Sequence, residues 1–292
     1  MENCEATVKE AWDSELVVEQ GLASTLRKIQ VCGSELMKWG LARTTLDVEA
    51  IKQIQKRLDS LNEGEMTSDS KAEYLELNKK MDELLQKQEI YWAQRSRLSW
   101  LQHGDKNTKF FHSKASQRRR KNHIRGIKNN QGQWVEELEK VVAVASDYFE
   151  NLFQAGVCDR MEECLDAVPQ MVTEEMQEAF SGEFTAEEVR VALFQMGLTK
   201  APGTDGMNAL FFQKFWHIVG DDVVMAVLDF LNNGHILPEI NHTNIVLIPK
   251  VKNPKKMSEF RPISLCNVIY KIMSKVLANR LKQVLPYLVS PT

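Results

Sequence analysis

Asn244–Leu265 reads NIVLIPKVKNPKKMSEFRPISL. A short apolar run, Ile245–Ile248, leads into Pro249-Lys250, and a second, Pro262–Leu265, follows Arg261 across a lysine-rich turn. Two such runs joined by a polar turn outline a β-hairpin. The first run is expected to be a buried strand. The tip and flanks then present Lys250, Lys252, Lys255, Lys256 and Arg261 to solvent.

Upstream of the hairpin lies Lys200–Gly206, KAPGTDG. It is glycine-rich and follows a helical stretch, but no Gly-Lys-Ser/Thr ending opens the next helix, so it is not a phosphate-binding P-loop. In isolation it reads as a turn. Helices are expected at about Ala209–Val219 and Asp221–Asn233, the second closed by Gly234 in a left-handed cap. After the hairpin an amphipathic helix is expected over about Asn267–Val284, halted by Pro286. Before the turn, Glu136–Gln195 reads as an acidic helical block. Val141, Val144, Ala145, Tyr148, Phe149 and Phe153 form its apolar face, Thr185 and Glu188 a capping box, and Gly197 an end signal.

The net charge of −3 hides a strongly segregated distribution. Trp92–Lys128 holds 11 Lys or Arg against one acid, Asp105. Glu136–Arg190 holds 15 acids against 3 bases, and Pro249–Lys282 has 9 bases against Glu259. Two basic blocks flank an acidic one. In the first block, cations alternate with Trp100, Phe110 and Phe111, ending in the Gln117–Lys121 cluster QRRRK. Cations neutralise phosphates, while aromatic faces either stack on bases or pack beneath them; the sequence leaves both open. Arg118, Arg119, Arg120 and Lys121 are candidate nucleic-acid contacts. Ile124–Ile127 and Gln133–Val135, around Asn129-Asn130-Gln131-Gly132, read as a second small hairpin. His103, His112 and His123 lack ligand-like spacing, which favours phosphate contact or packing over a metal.

Ala6–Arg95 contains no proline and reads as almost wholly helical. Tyr74, Leu77, Met81, Leu84, Gln88 and Tyr91 follow heptad spacing, widened by Leu85 and Trp92. Ile51, Ile54, Leu58 and Leu61 form an earlier seam, with Asn62–Ser70 as a loop. Either two antiparallel helices bury these stripes against each other, or a partner helix or second copy covers them. Five cysteines without CxxC spacing fit a reduced, intracellular protein. The acidic start is no signal peptide, and no run approaches the roughly 20 apolar residues of a membrane helix. A nuclear or cytoplasmic, membrane-free protein is expected.

Three stretches in order carry a family resemblance. They are RSRLSWLQHGDKNTKFFHSKASQRRRKNHI, LTKAPGTDGMNALFFQKFW and IVLIPKVKNPKKMSEFRPISLCNVIYKIMSKVLANRL. Over about Tyr91–Thr292 the chain resembles the reverse transcriptase of plant-type LINE (non-LTR) retrotransposons, from the linker through the first two polymerase blocks. The resemblance implies RNA-directed DNA polymerase parentage, with RNA template, DNA primer and deoxynucleotides as partners and magnesium as cofactor. It implies that Lys250 and Arg261 approach the nucleotide triphosphate, that Asp205 and Gly206 shape the pocket, and that Lys252, Lys255 and Lys256 lie on the template side or in solvent. Exposed hairpin charge is the alternative for Lys250 and Arg261.

The resemblance also implies a truncated chain: the palm aspartates would follow where it stops at Thr292, and no aromatic-Ala-Asp-Asp turn occurs. The adjacent pair Asp221-Asp222 is expected to open a helix and favour its dipole. The expected architecture is α+β and predominantly helical. It comprises a helical, coiled-coil-like spacer (1–93), a basic connector (94–135), an acidic helical region (136–199) and partial fingers with the start of a palm (200–292). Such a chain holds no metal and is inactive alone. The alternative is a non-enzymatic nucleic-acid-binding protein derived from a retroelement, and self-association through the N-terminal helices is a further expectation.

Overall fold

A computed structural model describes residues 2–14, 21–64, 67–96, 108–156, 161–166 and 171–288. These are mostly helical, with two small antiparallel hairpins. The chain divides into two compact units, Met1–Gly33 with Ile124–Thr292, and Ser34–His123. Trp100, His103, Asp105 and Cys158 lie outside the described residues, as do the His112 side chain and the chain beyond Leu288.

The first unit begins with α1 (Glu2–Asp13) and the start of α2 (Leu22–Glu63), which passes into the second unit after Gly33. The rest of the second unit is α3 (Ser68–Ser96) and α4 (Thr108–Asn122). Leu58, Leu61 and Met81 are buried there, so the heptad stripes do face inward. Arg57 forks onto Glu73 at 2.7 and 2.8 Å, tying α2 to α3 near their loop. The most extensive packing of α3 is along α4, a pairing the periodicity did not anticipate. Tyr91 falls off the protected face at 50% exposure, with its ring edge-on to Trp92. Phe111 is buried, which assigns that aromatic to packing.

The first unit resumes with β1 (Ile127–Lys128), β2 (Trp134–Val135) and α5 (Leu138–Phe153). Four helices follow: α6 (Met161–Asp166), α7 (Glu174–Ser181), α8 (Ala186–Phe194) and α9 (Ala209–Lys214). Then come α10 (Trp216–Asn233), α11 (Pro238–Asn241), β3 (Asn244–Pro249), β4 (Phe260–Leu265) and α12 (Val268–Leu288). Its core is formed where α8, α10 and α12 meet, through Leu193, Val223, Val227, Ile269, Ile272 and Val276. Trp12, Ile29 and Cys32 of α1 and α2 are also buried. A smaller cluster joins Ile127, Met257 and Phe260 to Val141, Val144, Tyr148 and Phe149 of α5.

Local signals set several boundaries. Thr185 and Glu188 form the expected capping box of α8, and Gly234 closes α10 at φ 73°. Three local expectations fail. The break after α9 falls at Phe215, so Asp221 and Asp222 lie inside α10 and do not open a helix. Gly220 lies inside that helix with the Trp216 ring against it, where a Cβ would meet Cε2 at 2.9 Å. Pro286 lies inside α12, which continues to Leu288; a proline in a final turn forfeits only one backbone bond. Phe153 is 67% exposed and stacks on Phe149 instead of entering the core.

Candidate functional site

The β3–β4 register pairs Ile248 with Arg261 and Val246 with Ile263. Side chains alternate across a strand, and paired residues share a face. Val246, Ile248 and Ile263 therefore lie with Arg261 on one face, and Leu247, Pro249, Phe260 and Pro262 on the other. The second face reaches the core cluster through Leu247 and Phe260. The first does not: Val246, Ile248 and Ile263 are 38%, 37% and 41% exposed. The expectation of a buried strand thus fails at Ile245, Val246 and Ile248. A two-stranded sheet covered on one face leaves the other face and both edges open.

The ladder extends one step past Pro249, with the Lys250 N–H donating to the Glu259 carbonyl at 2.8 Å. That step puts Lys250 two residues beyond Ile248, on the face of Arg261. Diagonal neighbours of this kind stand roughly 7–8 Å apart. The structure therefore brings the two predicted phosphate-gripping cations together on an exposed surface. One Lys250 ammonium proton is engaged by the Ser258 carbonyl at 2.8 Å, closing the tip onto itself. Glu259 accepts the Lys255 and Lys256 main-chain N–H groups at 2.6 and 3.2 Å, which holds its carboxyl below the usual range. Both lysine side chains remain exposed.

The Lys200–Gly206 loop meets the opposite end of the hairpin. Gly203 lies so close to the chain after β4 that a Cβ would stand 2.4 Å from the Asn267 nitrogen. Gly206 turns at φ 72°, and Lys271 Nζ donates to the Ala201 carbonyl at 3.0 Å. Asp205 Oδ1 accepts the Met207 N–H at 3.0 Å, while its Oδ2 is buried without a hydrogen-bond partner. Burial pushes this carboxyl above its ordinary value. From Arg261 to Leu265 the strand rises about 13 Å, so Asp205 and Gly206 stand at the hairpin's base and the cations near its tip.

In the second unit, Arg118–Lys121 are exposed and end α4. Cations there also complement the negative end of the helix dipole.

Sequence reasoning missed the role of Asp222. Its Oδ2 accepts Trp12 Nε1 at 2.7 Å and Lys28 Nζ at 2.8 Å, and its carbonyl accepts Thr25 Oγ1 at 3.2 Å. These bonds pin α1 and α2 to α10. The Asp221-Asp222 pair does not fit a magnesium site, because Asp222 is already engaged and successive helical side chains diverge by about 100°. No group of three or more potential metal ligands occurs among the described residues. No described helix is long and apolar enough to cross a membrane.

No family model matches the chain. Over 247 residues, 84% of its length, it is 28% identical to "Transposon TX1 uncharacterized 149 kDa protein" of Xenopus laevis. The chain spans 19% of that relative, so the similarity concerns a minor part of a much longer transposon protein.

Proposed function

We propose that this chain is part of a retroelement reverse transcriptase of the LINE type, comprising a helical spacer, a basic connector and the fingers of a right-hand polymerase. The observation that carries the reading is the pairing of Lys250 and Arg261 on one exposed hairpin face. Similarity to a transposon protein along 84% of the chain supports it. A compact ammonium and a planar guanidinium at this spacing suit a triphosphate: lysine acts as a point charge, arginine as a two-pronged donor. Offsetting charge as pyrophosphate leaves is what polymerisation asks of the fingers. Asp205 and Gly206 shape the base of that pocket in this reading, and Lys255, Lys256 and Arg118–Lys121 meet template and primer.

Magnesium would be supplied with palm carboxylates that this chain's aspartate pair cannot replace. Alone, the chain is expected to bind and not to polymerise. The test is binding of a fluorescent deoxynucleoside triphosphate to wild type and to the Lys250→Gln/Arg261→Gln double variant. Roughly tenfold or greater weakening is expected, since each charged hydrogen bond contributes about 1.5–3 kcal/mol. Equal binding by the two proteins would overturn the assignment.

A second reading, a non-enzymatic nucleic-acid-binding protein, is favoured by the exposed cationic cluster Arg118–Lys121 at the end of α4. Primer extension on an RNA template by the purified chain, with contaminating polymerase excluded, would exclude that reading.

A further inference from the structure

We infer that the outward face of the β1–β2 hairpin is a stacking site for single-stranded nucleic acid: Trp134 takes a base, while Lys128, Lys255 and Lys256 take adjoining phosphates. The inference rests on the reading that this chain contacts nucleic acid, and it names where and in what form.

The hairpin's register pairs Ile127 with Val135 and Lys128 with Trp134. Ile127 is buried in the core cluster, and Val135 packs against it. Alternation then sends Lys128 and Trp134 outward together. Asn129 N–H donates to the Gln133 carbonyl at 2.9 Å, whereas Lys128 N–H points away from β2. Lys128 and Trp134 are therefore a non-hydrogen-bonded pair, the geometry in which cross-strand side chains lie closest.

The indole is fixed in place. Its Nε1 donates to Glu136 Oε1 at 2.8 Å. Beneath it lies Gly126, where a Cβ would meet Trp134 Cε2 at 2.7 Å and Cζ2 at 2.8 Å. A ring held at its nitrogen and resting on bare backbone has little rotamer freedom left to lose on binding. Trp134 nevertheless remains 45% exposed.

The phosphate-binding half comes from 127 residues downstream. The Lys128 N–H that points away from β2 donates to the Lys255 carbonyl at 2.8 Å. That bond joins the β1 edge to the β3–β4 turn and sets the Lys255 main chain against Lys128; Lys128, Lys255 and Lys256 are all exposed. Both acids at this surface are engaged: Glu259 binds the main-chain N–H groups of Lys255 and Lys256, and Glu136 accepts the indole N–H. A fixed aromatic face beside clustered cations is how proteins hold single strands without reading sequence. A duplex keeps its bases stacked inside and offers the indole nothing to bind.

The test uses the whole chain and a short fluorescein-labelled oligothymidylate, with affinity read by anisotropy across a salt series. Trp134→Ala should weaken binding roughly tenfold while leaving the salt slope unchanged, and Trp134→Phe should recover most of the loss. Lys128→Gln/Lys255→Gln/Lys256→Gln should flatten the slope by about 2, three phosphates at roughly 0.7 each. Circular dichroism melts establish that each variant folds. Wild-type affinity in Trp134→Ala, an unchanged slope in the lysine variant, or equal affinity for a blunt duplex would each overturn the site. Binding that persists without dependence on Trp134 sinks this inference alone; no binding by the wild-type chain sinks the nucleic-acid reading with it.

Discussion

Arg280 and Glu188, 92 residues apart in the chain, form a two-pronged ion pair: Nε to Oε1 at 2.6 Å and Nη2 to Oε2 at 2.9 Å. The guanidinium also donates to the carbonyls of Phe180, Gly182 and Glu183 and lies 3.8 Å from the Phe184 ring centroid. One side chain of α12 thus clasps the entire α7–α8 connection. Arg280→Met should destabilise the protein by about 3 kcal/mol, because it strands an acid and several carbonyls that have lost their donor. Urea unfolding of the single variants and of the double variant with Glu188→Gln would give the coupling directly. Additive losses would mean the two residues act independently.

The same pair sets an acid limit. Arg280, followed by the Thr185 bonds, holds the Glu188 carboxyl down to about 2. A folded-state pKa depressed below the unfolded one contributes stability above the unfolded value, which is lost as pH falls through the folded one. The contribution should therefore fade between about pH 4.5 and pH 2. Urea midpoints across this window should fall more steeply for wild type than for Glu188→Gln. Parallel curves would refute the linkage.

Trp12 and Asp222 make the next prediction. The indole bond crosses 210 residues of sequence and docks α1 on α10. Trp12→Phe keeps the ring and removes the donor, and should cost about 1.5 kcal/mol, as for a hydrogen bond to a charged acceptor. Removing residues 1–33 should uncover the face of α10 at Asp222 and lower the melting temperature of the remainder, read by calorimetry. An unchanged melt would mean the N-terminal helices contribute nothing to that core.

These contacts mark where sequence reading stops. The Thr185–Glu188 box, the Gly234 cap and the hairpin pairings were legible because each signal lies within a few residues of its effect. The juxtaposition of Lys250 with Arg261 follows from strand alternation once the pairing is known. The work of Asp222 was not legible, since no spacing rule links it to Trp12 or Lys28. Nor was the exposure of Val246 and Ile248: an apolar run reports that a strand could be covered, not how many neighbours the sheet supplies. The indole of Trp134 was visible only as a hairpin residue, because its setting depends on the Lys128–Lys255 bond from a distant turn.

Gly203 should tolerate no side chain. A Cβ there would stand 2.4 and 2.5 Å from the Asn267 nitrogen and Cα, backbone atoms at the start of α12 that cannot swing aside. Gly203→Ala should cost about 2 kcal/mol or more, within the range for overpacking. Gly132→Ala, where no atom lies within 4 Å of the added Cβ but φ is 79°, supplies the comparison, losing only about 1 kcal/mol to backbone strain. Equal losses would show that the 200–206 loop yields to the clash.

Asp205 reverses the pH argument made for Glu188. Its carboxyl is pushed above the ordinary 3.8, chiefly by burial, against smaller opposing effects from the Met207 N–H and Lys271. A group whose folded pKa is raised favours the folded state below its unfolded pKa, and that advantage disappears as pH rises through the folded value. Ionised Asp205 with an orphaned Oδ2 is thus a penalty carried at neutral pH. Asp205→Asn removes the titration, so wild type should lose stability relative to the variant as pH rises from about 4. Any constant offset from the new amide cancels in this comparison, which makes the slope the informative quantity. A difference independent of pH would mean that Asp205 carries no such penalty.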